Sequence, residues 1–371
     1  MKFTQLHSYH ETHAQMTEFA GYEMPLWYST TSEEHLAVRN SSGIFDVSHM
    51  GRVSVSGSGA TAFLEGIVPT NVASQPPGKA FYTLLLDDRG GIIDDLIIMR
   101  LAEDDYLMVV NAANSKSDQE HVAAQAPREG VVACDMTSDS AMVAVQGPGA
   151  QRSLQRLTDV DLSQLKRFRC TRAMVLGVES LISRTGYTGE DGFEVILHGQ
   201  TADHPDGALR VWEELSKSSV PCGLGARDSL RLEAGFPLHG SDIDRTTNPY
   251  EADLAWVLSA GKEGYIGSKS VKEAGASHPP SVRRGVVLER GIPRHGFEVL
   301  GSSGRVGDVT SGTFSPLLRQ GIAQCRVDFS SSEYGTKVSV VVRDAPSPGA
   351  VTKPPFYDEQ LYGWKRRSNG K

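Results

Sequence analysis

Residues 273–284, EAGASHPPSVRR, break the chain into two stretches that follow different local rules. After this small-residue and proline segment the sequence holds almost only short strand-like runs and turns: RRGVVLE, GRVGDVTSG, IAQCRVDF and TKVSVVV. Such spacing of turn signals predicts a C-terminal β-barrel of roughly 90 residues, which we place at 282–371. Before the break, strands and helices come in mixed order. A chain of 371 residues exceeds the usual single domain of about 100 to 200, so two or three domains are expected.

Along residues 1–272 the elements can be read from periodicity. GRVSVSG (51–57) has valines at period two and precedes an apolar helical run, ATAFLEGIV. FYTLLL (81–86), GIIDDLIIMRL (91–101) and DYLMVV (105–110), separated by short turns, predict a three-stranded meander. SKSDQEHVAAQA (115–126) predicts a helix capped by Asn114 or Ser115. Further helices are expected at GPGAQRSLQRL (147–157) and DGALRVWEELSKS (206–218), the latter turning Leu209, Val211, Trp212 and Leu215 inward. RAMVLG and ESLISRTG form a strand pair ahead of GFEVIL.

Composition excludes several classes of function. No apolar run reaches the roughly 18 residues of a membrane span, and the N-terminus MKFTQLHSYHETHAQ has neither a secretory nor a transit pattern, so a cytoplasmic protein is expected. A net charge of −8 argues against non-specific nucleic-acid binding. Cys134, Cys170, Cys222 and Cys325 lie far apart with no metal-ligand spacing, and the histidines form no H-E-x-x-H pattern, so no metal site is expected.

Three clusters are candidates for chemistry. In GIIDDLIIM, successive side chains alternate between faces, so Asp94 shares one with Ile92, Leu96 and Ile98, and Asp95 shares the other with Ile93 and Ile97. An unpaired carboxylate among isoleucines costs several kcal/mol, so at least one aspartate must meet a polar partner. That partner is either a structural turn or a bound molecule exchanging a proton. SRTGYTGEDGFEV (183–195) packs Arg184, Tyr187, Glu190, Asp191 and Glu194 around Gly186, Gly189 and Gly192, which suits a tight hairpin or a ligand-facing loop. In GLGARDSLRLEAGFPLHGSDID (223–244), Arg227, Asp228, Arg231 and Glu233 open or follow one short helix, as an ion-pair face or as a clamp on an anion or heterocycle. Neither nucleotide fingerprint, G-x-G-x-x-G or G-x-x-x-x-G-K-[ST], occurs.

Taken together with GIFDVSHMG (43–51), VVNAAN (109–114), TSGTFSP (310–316) and VTKPPF (351–356), these clusters occur in one order. From about residue 4 to residue 357 the chain resembles the T-proteins of the glycine cleavage system, the tetrahydrofolate-dependent aminomethyltransferases. The resemblance implies an α+β fold: three domains of mixed and antiparallel sheets with helices, in a clover-leaf around a folate cavity, the last a β-barrel. Residues 1–272 would form the folate-binding region as two intertwined α+β domains.

The implied reaction moves a methylene unit from an aminomethyl group on the lipoyl arm of the H-protein to tetrahydrofolate, with release of ammonia. The lipoylated H-protein would be a transient partner, with the P- and L-proteins involved indirectly. No metal or redox cofactor is implied. Asp94, the first aspartate of the GG-x-x-DD motif, matches the catalytic position. Tyr187 and Glu194 match positions lining the pterin, with the turn's glycines permitting close approach; Arg227 matches a pterin-contacting arginine. Asn111, Met50 and Trp256 match cavity positions, with plain core packing as the alternative for Met50 and Trp256. Arg284 aligns with an arginine near the glutamate tail, and His49 reads as a structural histidine.

Relatives of this fold demethylate sulfonium or methylamine compounds with tetrahydrofolate, form the folate-binding half of flavin dehydrogenases, or bind folate in iron-sulfur assembly. The match begins within the first few residues, which leaves no room for a flavin domain in this sequence. GYTGEDGFE replaces the cysteine motif K-G-C-[YF]-x-G-Q-E of the iron-sulfur assembly group. A folate-dependent demethylase is the enzymatic alternative, and the intact GARDSLRLEAGFPLHGSDID favours the aminomethyltransferase.

Overall fold

The computed structural model describes residues 1–127 and 129–366; the last part of the expected 282–371 region, 367–371, lies outside the described residues. The fold is α+β. Its internal contacts separate into two compact units, interleaved in sequence. The first comprises Met1–Ile67, Asn71–Thr83 and Asp95–Arg227; the second comprises Val68–Thr70, Leu84–Asp94 and the chain from Asp228 onward.

The first unit is built on a six-stranded sheet in the order Cys170–Val175, Val178–Ser183, Gly192–His198, Ser140–Gln146, Gly43–Asp46, Val220–Pro221. All neighbours are antiparallel except the last pair, Val220–Pro221 on Gly43–Asp46. The Ser140–Gln146 strand, SAMVAVQ, is buried at every position, so it reads as a continuous apolar run rather than an alternating one. Its inward residues Val143 and Val145 join Ile44, Ile182, Val195 and Leu197 in one core. The Asp206–Ser216 helix lays Val211, Trp212 and Leu215 onto that core, as its 3.6-residue spacing predicts.

The meander forms as expected, with Lys79–Leu86, Ile92–Ala102 and Asp105–Val110 adjacent in a sheet that continues through Gly51–Ser56 to Val132–Asp135. The Ser115–Gln125 helix also forms, but Asn114 at its N-cap makes no side-chain capping bond. By contrast Thr30 caps the Thr31–Asn40 helix by accepting from Glu33 N at 3.2 Å, and its hydroxyl donates to Glu33 Oε2 at 2.9 Å.

In the second unit six strands close into a barrel: Ser281–Leu288, Gln320–Asp328, Gly304–Ser315, Glu298–Gly301, Lys337–Val342 and Ala345–Thr352, the last pairing back to the first. Val286, Val299, Val309, Ala323, Cys325, Val327 and Val340 are among its packed apolar residues. Residues 228–234 of the Leu224–Ala234 helix join the barrel through charge. Buried Arg231 donates to Asp242 Oδ2 at 2.6 Å and to Ser311 Oγ at 2.9 Å, while Thr310 donates to Asp242 Oδ1 at 2.5 Å. Glu233 accepts from Ser315. The 227–233 charges therefore split: from Asp228 onward they are scaffold within the second unit.

Among the described residues no group of three or more His, Cys, Asp or Glu side chains is arranged to hold a metal ion. No helix among them is long and apolar enough to cross a membrane.

Candidate functional site

The turn between Val178–Ser183 and Gly192–His198 sorts its polar residues into two sets. One set builds the turn. Arg184 clamps Asp191 through Nε–Oδ1 at 2.9 Å and Nη2–Oδ2 at 2.5 Å, and its guanidinium lies 5.0 Å over the Phe193 ring. Glu190 pairs at 3.1 Å with Arg39, both side chains fully buried, and Arg39 also donates to Thr188 O at 2.8 Å. These charges are consumed by the scaffold.

Gln146, the last residue of the Ser140–Gln146 strand, fills the inside of the turn. Its Nε2 donates to Thr185 O at 3.1 Å, and its Oε1 accepts from Thr188 Oγ1 at 2.8 Å. A Cβ on Gly186 would stand 2.0 Å from Gln146 Oε1, and one on Gly192 would stand 2.5 Å from Val145 O. The sequence left these glycines open to a tight hairpin or a ligand-facing loop. In the structure the space beside Gly186 and Gly192 is occupied by Gln146 and its strand, while Gly189 supplies the positive φ of +80° that the turn needs.

The other set gathers Tyr187, Glu194, Arg227 and Met50. The Arg227 guanidinium sits 4.8 Å over the Tyr187 ring, and its Nη2 is 3.6 Å from Met50 Sδ. Glu194 is buried, paired across the sheet with Ser183 on one side and Ala144 on the other. Burial pushes its carboxyl up from the ordinary range, against the opposing pull of the Thr185 hydroxyl bond and the Arg227 charge. Burial likewise lowers Arg227, with Glu194 and Tyr187 pulling the other way.

Met50 is placed by the turn 47–50, which is held at both ends. Asp46 accepts from Ser48 N at 2.9 Å, Thr4 Oγ1 at 2.7 Å and His10 Nε2 at 3.0 Å. Arg52, fully buried, donates to the carbonyls of Ser48, Met50, Thr137 and Ser140. Between them His49 is buried against Phe19 and Tyr22, and its Nδ1 has no hydrogen-bond partner among the described residues. Burial, with Arg227 and Arg52 adding to it against Asp46, holds the imidazole neutral down to about 3.

The two aspartates of GIIDDLIIM separate as the strand period requires. Asp95, half-buried, accepts from Tyr82 OH at 2.9 Å and from Asn111 Nδ2 at 3.0 Å; the same Nδ2 also reaches Asp95 O at 3.0 Å. Asn111 is thus brought to Asp95. Asp94 is fully buried and belongs to the second unit. There the strand start is pinned by the HGSDID loop: Ile92 N donates to Asp244 O at 3.2 Å and Thr247 O at 3.1 Å, and His239 Nε2 is 3.1 Å from Ile92 O. Gly91 is required at this point, because a Cβ would lie 2.0 Å from Arg245 O.

Also in the second unit, Trp256 is 68% exposed, so plain core packing does not account for it. Arg284 faces Asp253 at 3.2 Å, donates to Ser332 O at 3.0 Å and lies 5.2 Å over Tyr334. The structure therefore brings together Met50, Tyr187, Glu194 and Arg227 in the first unit, sets Asn111 on Asp95, and holds Asp94, Trp256 and Arg284 in the second. Sequence reasoning missed Gln146 and Thr185. The only signal for Thr185 was a hydroxyl two residues from Ser183 in the strand that faces Glu194.

A family model described as the GCVT N-terminal domain matches residues 6–262, and one described as the glycine cleavage T-protein C-terminal barrel domain matches 282–358. An aminomethyltransferase of Halothermothrix orenii is 42% identical over 366 residues, covering 96% of this chain and 100% of the relative. That of Thermus thermophilus is 44% identical over 357 residues, covering 96% and 99%. The crystal structure of glycine cleavage system aminomethyltransferase T from Bartonella henselae superposes with a TM-score of 0.90 at 34% identity, covering 98% of this chain and 99% of that one. With both family models matched in order and relatives aligned along nearly its whole length, the chain belongs to the glycine cleavage T-protein family and is an enzyme of the aminomethyltransferase class.

Proposed function

We propose that this enzyme transfers the methylene of an aminomethyl group, carried on the lipoyl arm of an H-protein, to tetrahydrofolate. The observation that carries the reading is the Tyr187–Arg227–Glu194 cluster: a stacked aromatic and guanidinium beside a buried carboxylate. Its donor set fits a pterin. A carboxylate accepts two hydrogen bonds from an amino-pyrimidine edge, and the Tyr187 face and Met50 supply apolar contact. His49 Nδ1, buried without a protein partner among the described residues, is a further polar atom of that kind.

In the overall reaction two C–N bonds to folate form while the C–S and C–NH₂ bonds break. The two folate N–H protons end on ammonia and the lipoyl thiol. We assign Asp94 the handling of a proton in this exchange, because a buried carboxylate positioned at the attacking nitrogen can accept one proton and return it, an effect commonly worth about 10² to 10⁴ in rate. Tyr187, Glu194, Arg227 and Met50 would hold the ring, Asn111 would brace the strand through Asp95, and exposed Trp256 would contribute apolar surface. Arg284 would have to exchange Asp253 for the carboxylate of the glutamate tail.

The same reading takes 1–272 as the folate-binding region and 282–371 as the barrel, and includes a transient H-protein complex and a cytoplasmic setting. The test is ammonia release from aminomethylated H-protein with and without tetrahydrofolate. Folate-dependent release is expected; tight folate binding without turnover would overturn the reading and direct attention to methylated amines or sulfonium compounds.

A further inference from the structure

We propose that Thr185 is a positioning residue for ligand binding: its hydroxyl, supplied with a hydrogen bond by Ser183, fixes one oxygen of Glu194 and leaves the other to meet the bound ring. The proposal rests on the reading of Glu194 as a pterin contact.

The three groups form a buried line. Ser183 Oγ is 2.7 Å from Thr185 Oγ1, which donates to Glu194 Oε2 at 2.5 Å. All three residues are buried, so water does not substitute for these bonds. Each hydroxyl has one proton, and this sets the direction of the line. When Glu194 is ionised it can only accept, so Thr185 donates to Glu194 and Ser183 donates to Thr185. When Glu194 is protonated the line reverses: Glu194 donates to Thr185, Thr185 to Ser183, and Ser183 to the Glu194 carbonyl, which lies 3.5 Å from its Oγ. Both states are satisfied, but the bond to the ionised carboxylate is the stronger, charge-assisted one, so Thr185 holds the carboxylate in one orientation and favours its charged form.

The neighbours of Glu194 leave this role to Thr185. Across the sheet the Ser140–Gln146 strand presents Ala144 and the Val178–Ser183 strand presents Ser183; from the Leu224–Ala234 helix Arg227 is the charged group that faces it. Thr185 is itself fixed, since its carbonyl accepts from Gln146 Nε2 at 3.1 Å. The Ser183–Thr185 line, fixed at Thr185 by Gln146, therefore ends on the Glu194 carboxylate.

Ionised Glu194 accepts from an amino-pyrimidine edge, so affinity is full above its titration and falls as pH drops through it. Removing the Thr185 hydroxyl removes a bond to the charged form, and the acid limb of binding moves to higher pH. Thr185→Val should weaken tetrahydrofolate binding at pH 7 about tenfold, the weight of one charge-assisted hydrogen bond, and shift the limb upward. Thr185→Ser should restore both, and Ser183→Ala should give a smaller shift in the same direction.

The experiment is tetrahydrofolate binding from pH 5 to 9 by calorimetry on the full chain, with circular dichroism on every variant and Glu194→Gln in parallel. If Glu194→Gln leaves binding unchanged, the reading of the site fails. If Glu194→Gln abolishes binding while Thr185→Val binds with wild-type affinity and pH profile, the positioning role is wrong. Should Thr185→Val fail to fold, Ser183→Ala and Thr185→Ser decide the matter: an unshifted limb in Ser183→Ala overturns the relay.

Discussion

The guanidinium of Arg227 lies 4.8 Å over the ring of Tyr187 with Met50 Sδ 3.6 Å from its Nη2, so one side chain joins the glycine-rich turn to the SHM turn. A planar guanidinium covers the ring and reaches Met50 at once, which the single ammonium of a lysine does less well. Arg227→Lys should keep the fold and the charge but lose the stacking, weakening tetrahydrofolate binding about tenfold, as loss of a desolvated cation–π contact implies. Unchanged affinity by calorimetry would show that the stacking plays no part in binding.

The glycines of the turn give a prediction about stability rather than binding. Gly186→Ala sets a Cβ 2.0 Å from Gln146 Oε1, whose amide is bonded on both sides. It should cost about 1 to 3 kcal/mol in urea unfolding, the range for overpacking a filled site. Combined with Gln146→Ala the two costs should be less than additive, since the clash disappears with the amide. Full additivity would remove Gln146 as the cause.

Asn111 and Tyr82 both hold Asp95, and Asn111 reaches its carboxylate and its carbonyl. Asn111→Leu leaves these acceptors without that donor and should destabilise the protein by about 1 kcal/mol, the net worth of a partly buried hydrogen bond. Thermal unfolding measured with Tyr82→Phe alongside checks this. An Asn111→Leu protein of wild-type stability but altered folate affinity would assign Asn111 directly to the ligand.

His49 and Asp46 set the response to acid. His49 is buried neutral, its folded value lowered from 6.5 to about 3. The unfolded chain therefore takes up a proton that the folded one refuses. Stability contributed by this group is full above pH 6.5 and is lost as pH falls towards 3, with a slope of about 1.4 kcal/mol per pH unit for one proton. Asp46, lowered from 3.8 to about 2 by its bonds to His10, Ser48 and Thr4 against the cost of burial, adds a loss below pH 4. His49→Gln should flatten the pH 4 to 6.5 part of the stability curve while leaving the steeper fall below it. A parallel curve would mean that His49 is protonated in the folded state.

Much of this architecture was legible because the relevant segments face water on one side. GRVSVSG and the Asp206–Ser216 helix carry clean periods, while DYLMVV, buried at all but its first position, is marked by the short turn before it; the proline break before the barrel falls where the closed sheet begins at Ser281. The Ser140–Gln146 strand was not predicted. Buried on both faces, it has no alternation to detect, and Gly43–Asp46 is buried throughout as well. The turn shows the same limit at the level of the site. Arg184, Glu190, Asp191 and Glu194 lie within eleven residues, and their spacing alone assigns none of them a direction. Only the partners do: Phe193 and Asp191 for Arg184, Arg39 for Glu190, and Thr185 with Arg227 for Glu194. Gln146 entered no motif, because its partners are two turn residues about forty positions away in sequence.

Ammonia release from aminomethylated H-protein, measured for wild type and Asp94→Ala with tetrahydrofolate binding followed in parallel, tests the central claim most directly. The account predicts folate-dependent release that falls by about 10² to 10⁴ in the variant while folding and folate binding persist, the range expected for loss of a general acid-base group. Equal rates for Asp94→Ala and wild type, or release that does not depend on tetrahydrofolate, would contradict it.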